Sequence, residues 1–263
     1  MSLRALLVVI AHHPPRAHVD RLQACLAALP SSIGYSIVVN DHQSGEAAEA
    51  LLPNAAMAIV QQTNPGYGRA FNQLWEQWCA QHSIPPLVAV LNTDLSWEPG
   101  CIEELASWLE QHPEVTAAAP ELRFPDGRRQ FLCKRNPTLL ALISRRFIPR
   151  QLKPKRLIDY DRWYTMRDQP YSQVFPSPYL SGCCLWMRGW AVQAVGGFDP
   201  RFFLYFEDAD ITRRLGGLGP TVNLPIATIT HHWGRGSYRS GWLTLVNLQS
   251  AWLYFRKWGL QWW

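Results

Sequence analysis

The sequence predicts an α/β protein with a mostly parallel central sheet flanked by helices. Three features predict it: apolar runs of strand length recur, those runs do not alternate with polar residues, and segments of helical spacing separate them. Strands buried on both faces read this way, because crossover helices cover a parallel sheet on each side.

The elements follow in order. "RALLVVIA" is a buried strand that exits into His12-His13, and "HVDRLQACLAAL" carries apolar residues at helical spacing. "YSIVVN" is a second strand, leading into Asn40-Asp41; "GEAAEALL" predicts a helix and "AAMAIVQQ" a third strand. "GRAFNQLWEQWCAQH" places Ala70, Leu74 and Trp78 on one helix face. "PLVAVLN" is a strand running into Asn92-Thr93-Asp94, followed by the helix "CIEELASWLEQH" and the strand "VTAAAP". A Pro-rich, basic stretch from 125 to 178 interrupts the alternation before "LSGCCLWMR" reads as another strand. The tail "WLTLVNLQSAWLYFRKWGLQWW" predicts a C-terminal amphipathic helix, with Leu245, Leu248, Trp252 and Phe255 at helical spacing and Arg256 and Lys257 near its end. Trp rings suit a core and a lipid interface alike, so that face fits either the body of the protein or a bilayer surface.

Composition narrows the classes. With 48% hydrophobic residues in a chain of 263, one sizeable core is expected. No run of 18 apolar residues appears, and the first apolar stretch ends in histidines rather than a small-residue cleavage site. The expected location is the cytoplasm, with peripheral contact on the inner face of the cytoplasmic membrane open. Six scattered cysteines without C-x-x-C spacing suggest neither a disulfide framework nor a zinc knuckle.

The net charge of +5 is uneven: residues 121 to 168 hold 13 Lys/Arg against 5 Asp/Glu. An anionic partner is implied there. No nucleic-acid-binding motif accompanies the charge, whereas Phe147, Ile148 and Leu152 interleave with the basic residues as in a membrane-surface patch. A solvated basic loop is the plain alternative.

If ligands bind beyond the carboxyl ends of the strands, the polar strand exits are where chemistry is expected. In "LNTDLSWEPG", Asn92 and Asp94 are i and i+2 on an extended backbone and share a side, and a carboxylate there suits a hard divalent cation with diphosphate oxygens in its remaining positions. By itself N-x-D fits a helix cap or turn as well. In "TNPGYGRAFN", Gly66 and Gly68 open a helix, which permits close backbone approach to a ligand and offers amide N–H groups to an anion; an ordinary glycine-containing helix entry is the alternative. "THHWGRGS" supplies His231 and His232, of which an extended strand can point only one at a given metal ion. "YFEDADITRR" clusters Glu207, Asp208 and Asp210 ahead of Arg213 and Arg214. The cluster suits a helix macrodipole, and it also suits a general base, since like charge and the nearby Phe202, Phe203, Tyr205 and Phe206 would raise a carboxyl pKa.

Taken together, Asn40-Asp41, "NPGYGRAFN", "LNTD", "SGCCLWMRGWAVQAVGGFDPRFFLYFEDADITRRL" and "HHWGRGS" make the chain, from Leu3 to about Trp258, resemble glycosyltransferase family 2. These are inverting nucleotide-sugar enzymes with the GT-A fold, and the likeness is to the bacterial rhamnosyltransferase-like members. The stretch from 181 to 214 is the most specific.

The resemblance implies a single GT-A domain over 1–263, with 1–120 as the nucleotide-binding half, 121–240 as the acceptor and catalytic half and 241–263 as a helical tail. It gives Asp208 the role of general base with Glu207 beside it. Donor contacts fall to Asn40, Asp41, Asn64, Gly66, Tyr67, Gly68, Asn72, Asn92 and Asp94. Asp94 would hold Mg²⁺ or Mn²⁺ with a histidine, His232 being favoured over His231 by its distance to Ser237. Two departures stand out: Asn40-Asp41 reverses the usual Asp-Asn order, and Thr93 replaces a usual proline. Ser181, Gly182 and Cys183, with the basic region, are the expected acceptor lining. The implied donor is a nucleotide-diphospho-sugar, best dTDP-rhamnose, and the implied acceptor a saccharide or lipid-linked saccharide, in polysaccharide synthesis for the cell envelope; no nucleic acid is expected. A noncatalytic nucleotide-sugar or carbohydrate-binding module on the same scaffold is the competing class. A nucleotidyltransferase would need a basic glycine-rich signature after the first strand, which "IAHHPPRAH" does not provide.

Overall fold

The computed structural model describes residues 3–233 and 241–263. Among the described residues nine strands form one sheet: β1 (Ala5–Ala11), β2 (Ile33–Val39), β3 (Ala58–Val60), β4 (Leu87–Asn92), β5 (Leu95–Trp97), β6 (Ala117–Arg123), β7 (Phe175–Pro176), β8 (Cys184–Arg188) and β9 (Thr221–His231). Their order is β3-β2-β1-β4-β8-β6-β9-β5, with β7 beside β9. β3, β2, β1 and β4 are parallel, as the nonalternating runs predict. Beyond β4 the sheet is mixed, because β8 enters antiparallel to both β4 and β6 while β6 and β9 are again parallel.

Helices cover both faces. Odd-numbered residues of β1 (Leu7, Val9) point under α1 (Arg16–Ala27) and α3 (Cys101–Gln111), whereas Leu6, Val8 and Ile10 point under α2 (Tyr67–Gln81). This is why an uninterrupted apolar run was needed: side chains alternate across a strand, and here both sides are core. The predicted helix "GEAAEALL" is a single 3-10 stretch, Ala47–Leu51, stopped short of Pro53, and the third strand is a short edge.

The interrupting basic stretch contributes α4 (Leu139–Phe147) and α5 (Lys155–Tyr164). Thr138 caps α4 by accepting from the Ala141 N–H at 3.1 Å. Two further amides at the start of α4, Leu139 and Leu140, donate to the carbonyls of Gln261 and Trp262, so the C-terminal tail holds α4 in place.

After β8 come α6 (Gly189–Val195) and α7 (Glu207–Gly216), and the chain ends in α8 (Gly241–Trp258). α8 packs on the body, but not through the predicted stripe. Its buried residues are Val246, Ser250, Ala251 and Tyr254, whereas Leu245, Leu248 and Trp252 are exposed. Small residues at Ser250 and Ala251 let the helix approach the segment leading into α7: Ser250 Oγ donates to the Leu204 carbonyl at 2.8 Å, and Tyr254 packs against Phe206 at 5.6 Å.

Candidate functional site

Two cavities adjoin at the carboxyl end of the parallel strands and share the walls Tyr67, Asn92 and Leu204. One, of about 340 Å³, lies over the exits of β1, β2 and β4 and is lined by His12, His13, Asn40, Asn64, Gly66, Thr93 and Asp94. The other, of about 360 Å³, lies between the sheet and α4, α7 and α8, and includes Lys134, Arg145, Ser181, Gly182, Cys183, Asp208 and His231.

The Asp94 corner is built by register. β4 ends at Asn92, a turn carries Asp94, and β5 returns to pair antiparallel with β9, setting Leu95 opposite His231. His231 Nε2 therefore stands 3.2 Å from Asp94 Oδ2. His231 Nδ1 lies 2.8 Å from Gln130 Oε1, and Gln130 Nε2 donates to the His231 carbonyl at 3.0 Å. Since the Gln130 amide oxygen can only accept, Nδ1 carries a proton, and Nε2 is the ring nitrogen left facing the Asp94 carboxylate. Asp94 Oδ1 and His231 Nε2 are both buried without a hydrogen-bond partner. Burial pushes the Asp94 carboxyl up, but His231 beside it outweighs burial and its pKa is lowered overall. A buried ionised carboxylate beside a ring nitrogen that becomes a ligand on giving up its proton fits a divalent cation.

Of the two histidines it is His231, not the favoured His232, that faces Asp94. His232 turns away: its N–H donates to the Asp94 carbonyl at 2.8 Å and its Nε2 meets Ser96 Oγ at 2.9 Å. Alternation at the end of β9 sends neighbouring rings to opposite sides. Ser237, on which the preference for His232 rested, lies outside the described residues.

The acidic cluster separates into three environments. Tyr205 and Phe206 both have positive φ, 70° and 64°, a strained elbow that costs on the order of 1–3 kcal/mol per residue and starts α7 at Glu207. Asp208 points into the second cavity; its Oδ2 accepts from the Gly182 N–H at 3.1 Å and its Oδ1 from the Ala209 N–H at 2.9 Å. Glu207 is buried with Oε2 unpartnered, and burial, then the neighbouring Asp208 charge, push its carboxyl well above the usual carboxylate range. Asp210 takes no part in that repulsion. It is fully buried and bound by Arg214 Nε at 2.8 Å, Lys257 Nζ at 2.7 Å and Trp258 Nε1 at 2.8 Å, tying α7 to α8.

Ser181 to Cys183 runs between the two acidic corners. The Asn92 N–H donates to the Cys183 carbonyl at 2.9 Å, and the Tyr67 hydroxyl donates to the Gly182 carbonyl at 2.7 Å. Burial pushes the Cys183 thiol up to about 12, so it stays protonated and is no covalent nucleophile.

The glycine-rich segment works differently from expectation. A Cβ on Gly66, whose φ is +97°, would meet the Phe203 carbonyl oxygen at 2.3 Å, and one on Gly68 would meet Phe198 Cβ at 2.7 Å. The Gly66 amide donates to Asn64 Oδ1 and the Tyr67 amide to the Phe203 carbonyl, so neither is left for an anion. The glycines instead let the 198–206 segment that leads into Asp208 pack against α2. Asn72 serves the same segment, bonding both the N–H and the carbonyl of Phe198 at 2.8 and 2.7 Å, and neither Gly68 nor Asn72 is among the residues lining the two cavities. Of the Asn40-Asp41 pair, Asn40 lines the first cavity, while Asp41 (φ 54°) turns to His13 at 3.1 Å.

Sequence reasoning gave none of His12, His13, Gln130, Lys134 and Arg145 an individual catalytic, donor or metal role. The two histidines stand at the exit of β1, one of the places where chemistry was expected; Lys134 and Arg145 fall inside the basic region expected to line the acceptor site, and Gln130 lies there without a motif.

The model for the family described as glycosyl transferase family 2 matches residues 20–175. The N-acetylglucosaminyl-diphospho-decaprenol L-rhamnosyltransferase of Mycobacterium tuberculosis is 29% identical over 273 residues, covering 93% of this chain and 85% of its own. An O-antigen biosynthesis protein of Myxococcus xanthus is 24% identical over 69% of this chain but only 13% of its own. Among solved structures, the mannosyltransferase PcManGT from Pyrobaculum calidifontis, in complex with GDP-Man and Mn²⁺, superposes with a TM-score of 0.63 at 12% identity, over 98% of this chain and 64% of that one. TarS residues 1–349 from S. aureus gives 0.57 at 13%, over 87% and 60%. The chain thus spans less than two thirds of those two solved chains, and the likeness to them is one of fold.

Proposed function

The chain belongs to glycosyl transferase family 2, and on that premise we propose that it transfers rhamnose, with inversion, from dTDP-rhamnose to a hydroxyl of a lipid-linked saccharide. The observation that carries this reading is the pair of cavities meeting at Tyr67 and Asn92, with Asp94 in one and Asp208 in the other. The rhamnosyl specificity rests on the mycobacterial relative.

In this reading the donor lies over β1, β2 and β4, its nucleoside near His12, His13 and Asn40. Asp94 and His231 would hold Mg²⁺ or Mn²⁺, which supplies positive charge opposite the departing diphosphate. The acceptor hydroxyl gives its proton to Asp208 as its oxygen bonds to the anomeric carbon; the bond from that carbon to the phosphate oxygen breaks, and the nucleoside diphosphate leaves with the electron pair. The Gly182 N–H and the clamp from Tyr67 fix the Asp208 carboxylate for that transfer. Glu207, kept neutral by burial, adds bulk and polarity beside it without a second negative charge.

No described helix is long and apolar enough to cross a membrane. The exposed Trp242, Leu245 and Trp252 of α8, with Trp262 and Trp263 beyond it, support peripheral contact with the inner face of the cytoplasmic membrane. Co-sedimentation with phosphatidylglycerol vesicles at low salt tests this, and loss of binding in Trp242→Ala/Trp252→Ala is expected.

The function is tested by screening nucleotide sugars with Mg²⁺ or Mn²⁺ for release of nucleoside diphosphate in the presence of a short-chain lipid-linked N-acetylglucosamine. dTDP-rhamnose is expected to give the highest turnover and an inverted anomeric centre. Binding without turnover for every donor would favour a noncatalytic module.

A further inference from the structure

The acceptor-side cavity carries cations with no anion of their own. Lys134, from the irregular segment after β6, and Arg145, on the cavity face of α4, both line it. Among the described residues neither has a carboxylate partner. Each is instead held over an aromatic ring: Lys134 Nζ lies 4.1 Å from the centroid of Tyr179, and the Arg145 guanidinium 5.7 Å from that of Tyr164. Cation–π contact orients a cation without neutralising it. Burial draws the Lys134 ammonium below its usual pKa, the Asp208 charge opposes that, and Arg145 adds to it.

Bringing two like charges together in a partly buried cavity is unfavourable unless something negative completes the site. Of the carboxylates that line the same cavity, Glu207 is held neutral and Asp208, whose charge favours the Lys134 ammonium, offsets at most one of the two positive charges. The other wall near the cations is apolar, formed by Leu132, Ala141 and Leu142. Cations beside an apolar wall, in the cavity that also holds Asp208, match a molecule with an anionic centre between an apolar chain and the reacting sugar.

We infer that Lys134 and Arg145 form the subsite for the diphosphate of a polyprenyl-diphosphate-linked acceptor, with Leu132 and Leu142 taking the first part of the lipid. The inference rests on the acceptor class proposed above. It separates the two diphosphates of the reaction, the donor's at the Asp94 corner and the acceptor's at Lys134 and Arg145. The cations then set how far the acceptor's sugar reaches toward Asp208.

Farnesyl diphosphate is a probe of this site that needs no turnover. Calorimetry should show it binding the full chain more tightly than inorganic pyrophosphate or farnesol. Lys134→Gln and Arg145→Gln should each weaken it by about ten- to a hundredfold, the range for a charge-assisted hydrogen bond, with Lys134→Arg restoring most of the loss. Binding of dTDP with Mg²⁺ should be unchanged in all three variants, which also reports that they fold. Unaltered farnesyl diphosphate affinity in both Gln variants overturns the subsite, as does parallel loss of dTDP, which would assign the cations to the donor. An inability to use any nucleotide sugar, alongside the expected farnesyl diphosphate results, would refute the proposed reaction and leave the lipid-diphosphate site standing.

Discussion

The Gly182 N–H donates to Asp208 Oδ2 at 3.1 Å, and a Cβ added to Gly182 would stand 3.2 Å from Asp208 Cβ. The backbone of one residue thus sets the position of the other's carboxylate. Gly182→Ala should displace Asp208 by a few tenths of an ångström and lower kcat by about tenfold to a hundredfold, as expected for a misplaced catalytic group. Donor affinity, measured by dTDP titration, should stay the same. An unchanged kcat would mean that the carboxylate's position is not set there.

His231 and His232 should behave differently. His231→Ala removes the ring nitrogen facing Asp94 and should raise the Mg²⁺ or Mn²⁺ concentration for half-maximal activity by about tenfold or more, while Gln130→Ala, which frees the imidazole to turn, should give a smaller rise in the same direction. His232→Ala should leave the metal requirement near that of the parent. Titration of activity with metal checks all three.

Glu207 makes a prediction about stability and pH. In the unfolded chain it titrates near the ordinary carboxylate value of about 4.3, whereas in the fold its pKa is raised by burial. Between those values the folded state holds a proton that the unfolded state has lost, so stability falls as pH rises, by up to about 1.4 kcal/mol per pH unit. Glu207→Gln keeps the shape and removes this dependence. Denaturant melts should show the variant gaining on the parent as pH rises above about 5, with no gain near pH 4.

Asp210 should prove structural. Removing it by Asp210→Ala leaves Arg214, Lys257 and the Trp258 N–H without their shared buried acceptor. Stability should drop by about 3 kcal/mol or more, the usual cost of breaking a buried ion pair. The folded fraction should still bind dTDP with parental affinity, as equilibrium unfolding and calorimetry together would reveal.

How far these features were legible in the sequence depends on the range of the interactions. β1, β2 and β4, with the helices between them, could be read directly because a two-sided sheet imposes apolar runs that nothing else in the chain imitates. The exits at Asn40, Asn92 and Asp94 followed from those strands. The antiparallel entry of β8 could not be read, since "CCLWMR" looks the same in either direction. Nor could the exposed stripe of α8: Leu245, Leu248 and Trp252 have the spacing of a buried face, and only contact with the segment leading into α7 shows that Ser250 and Ala251 are the packed ones. The three acids of "FEDAD" illustrate the limit most clearly. Arg214 shares their helix, but Gly182 before β8 and Lys257 and Trp258 on α8 come from elsewhere in the chain, so local charge counting predicted mutual repulsion where the fold gives Asp210 a structural role, Glu207 a neutral one and Asp208 an open face. Lys134 and Arg145 were legible only as members of the basic region from 121 to 168, for which an anionic partner was expected; which of its 13 cations line the cavity is a property of three dimensions.

The most direct measurement is the turnover of Asp208→Asn with dTDP-rhamnose, divalent metal and a lipid-linked N-acetylglucosamine acceptor, beside calorimetric binding of dTDP. Loss of the proton acceptor should lower kcat by about a hundredfold to ten-thousandfold while dTDP affinity is retained. Turnover equal to that of the parent enzyme, with the same inverted product, would contradict the account.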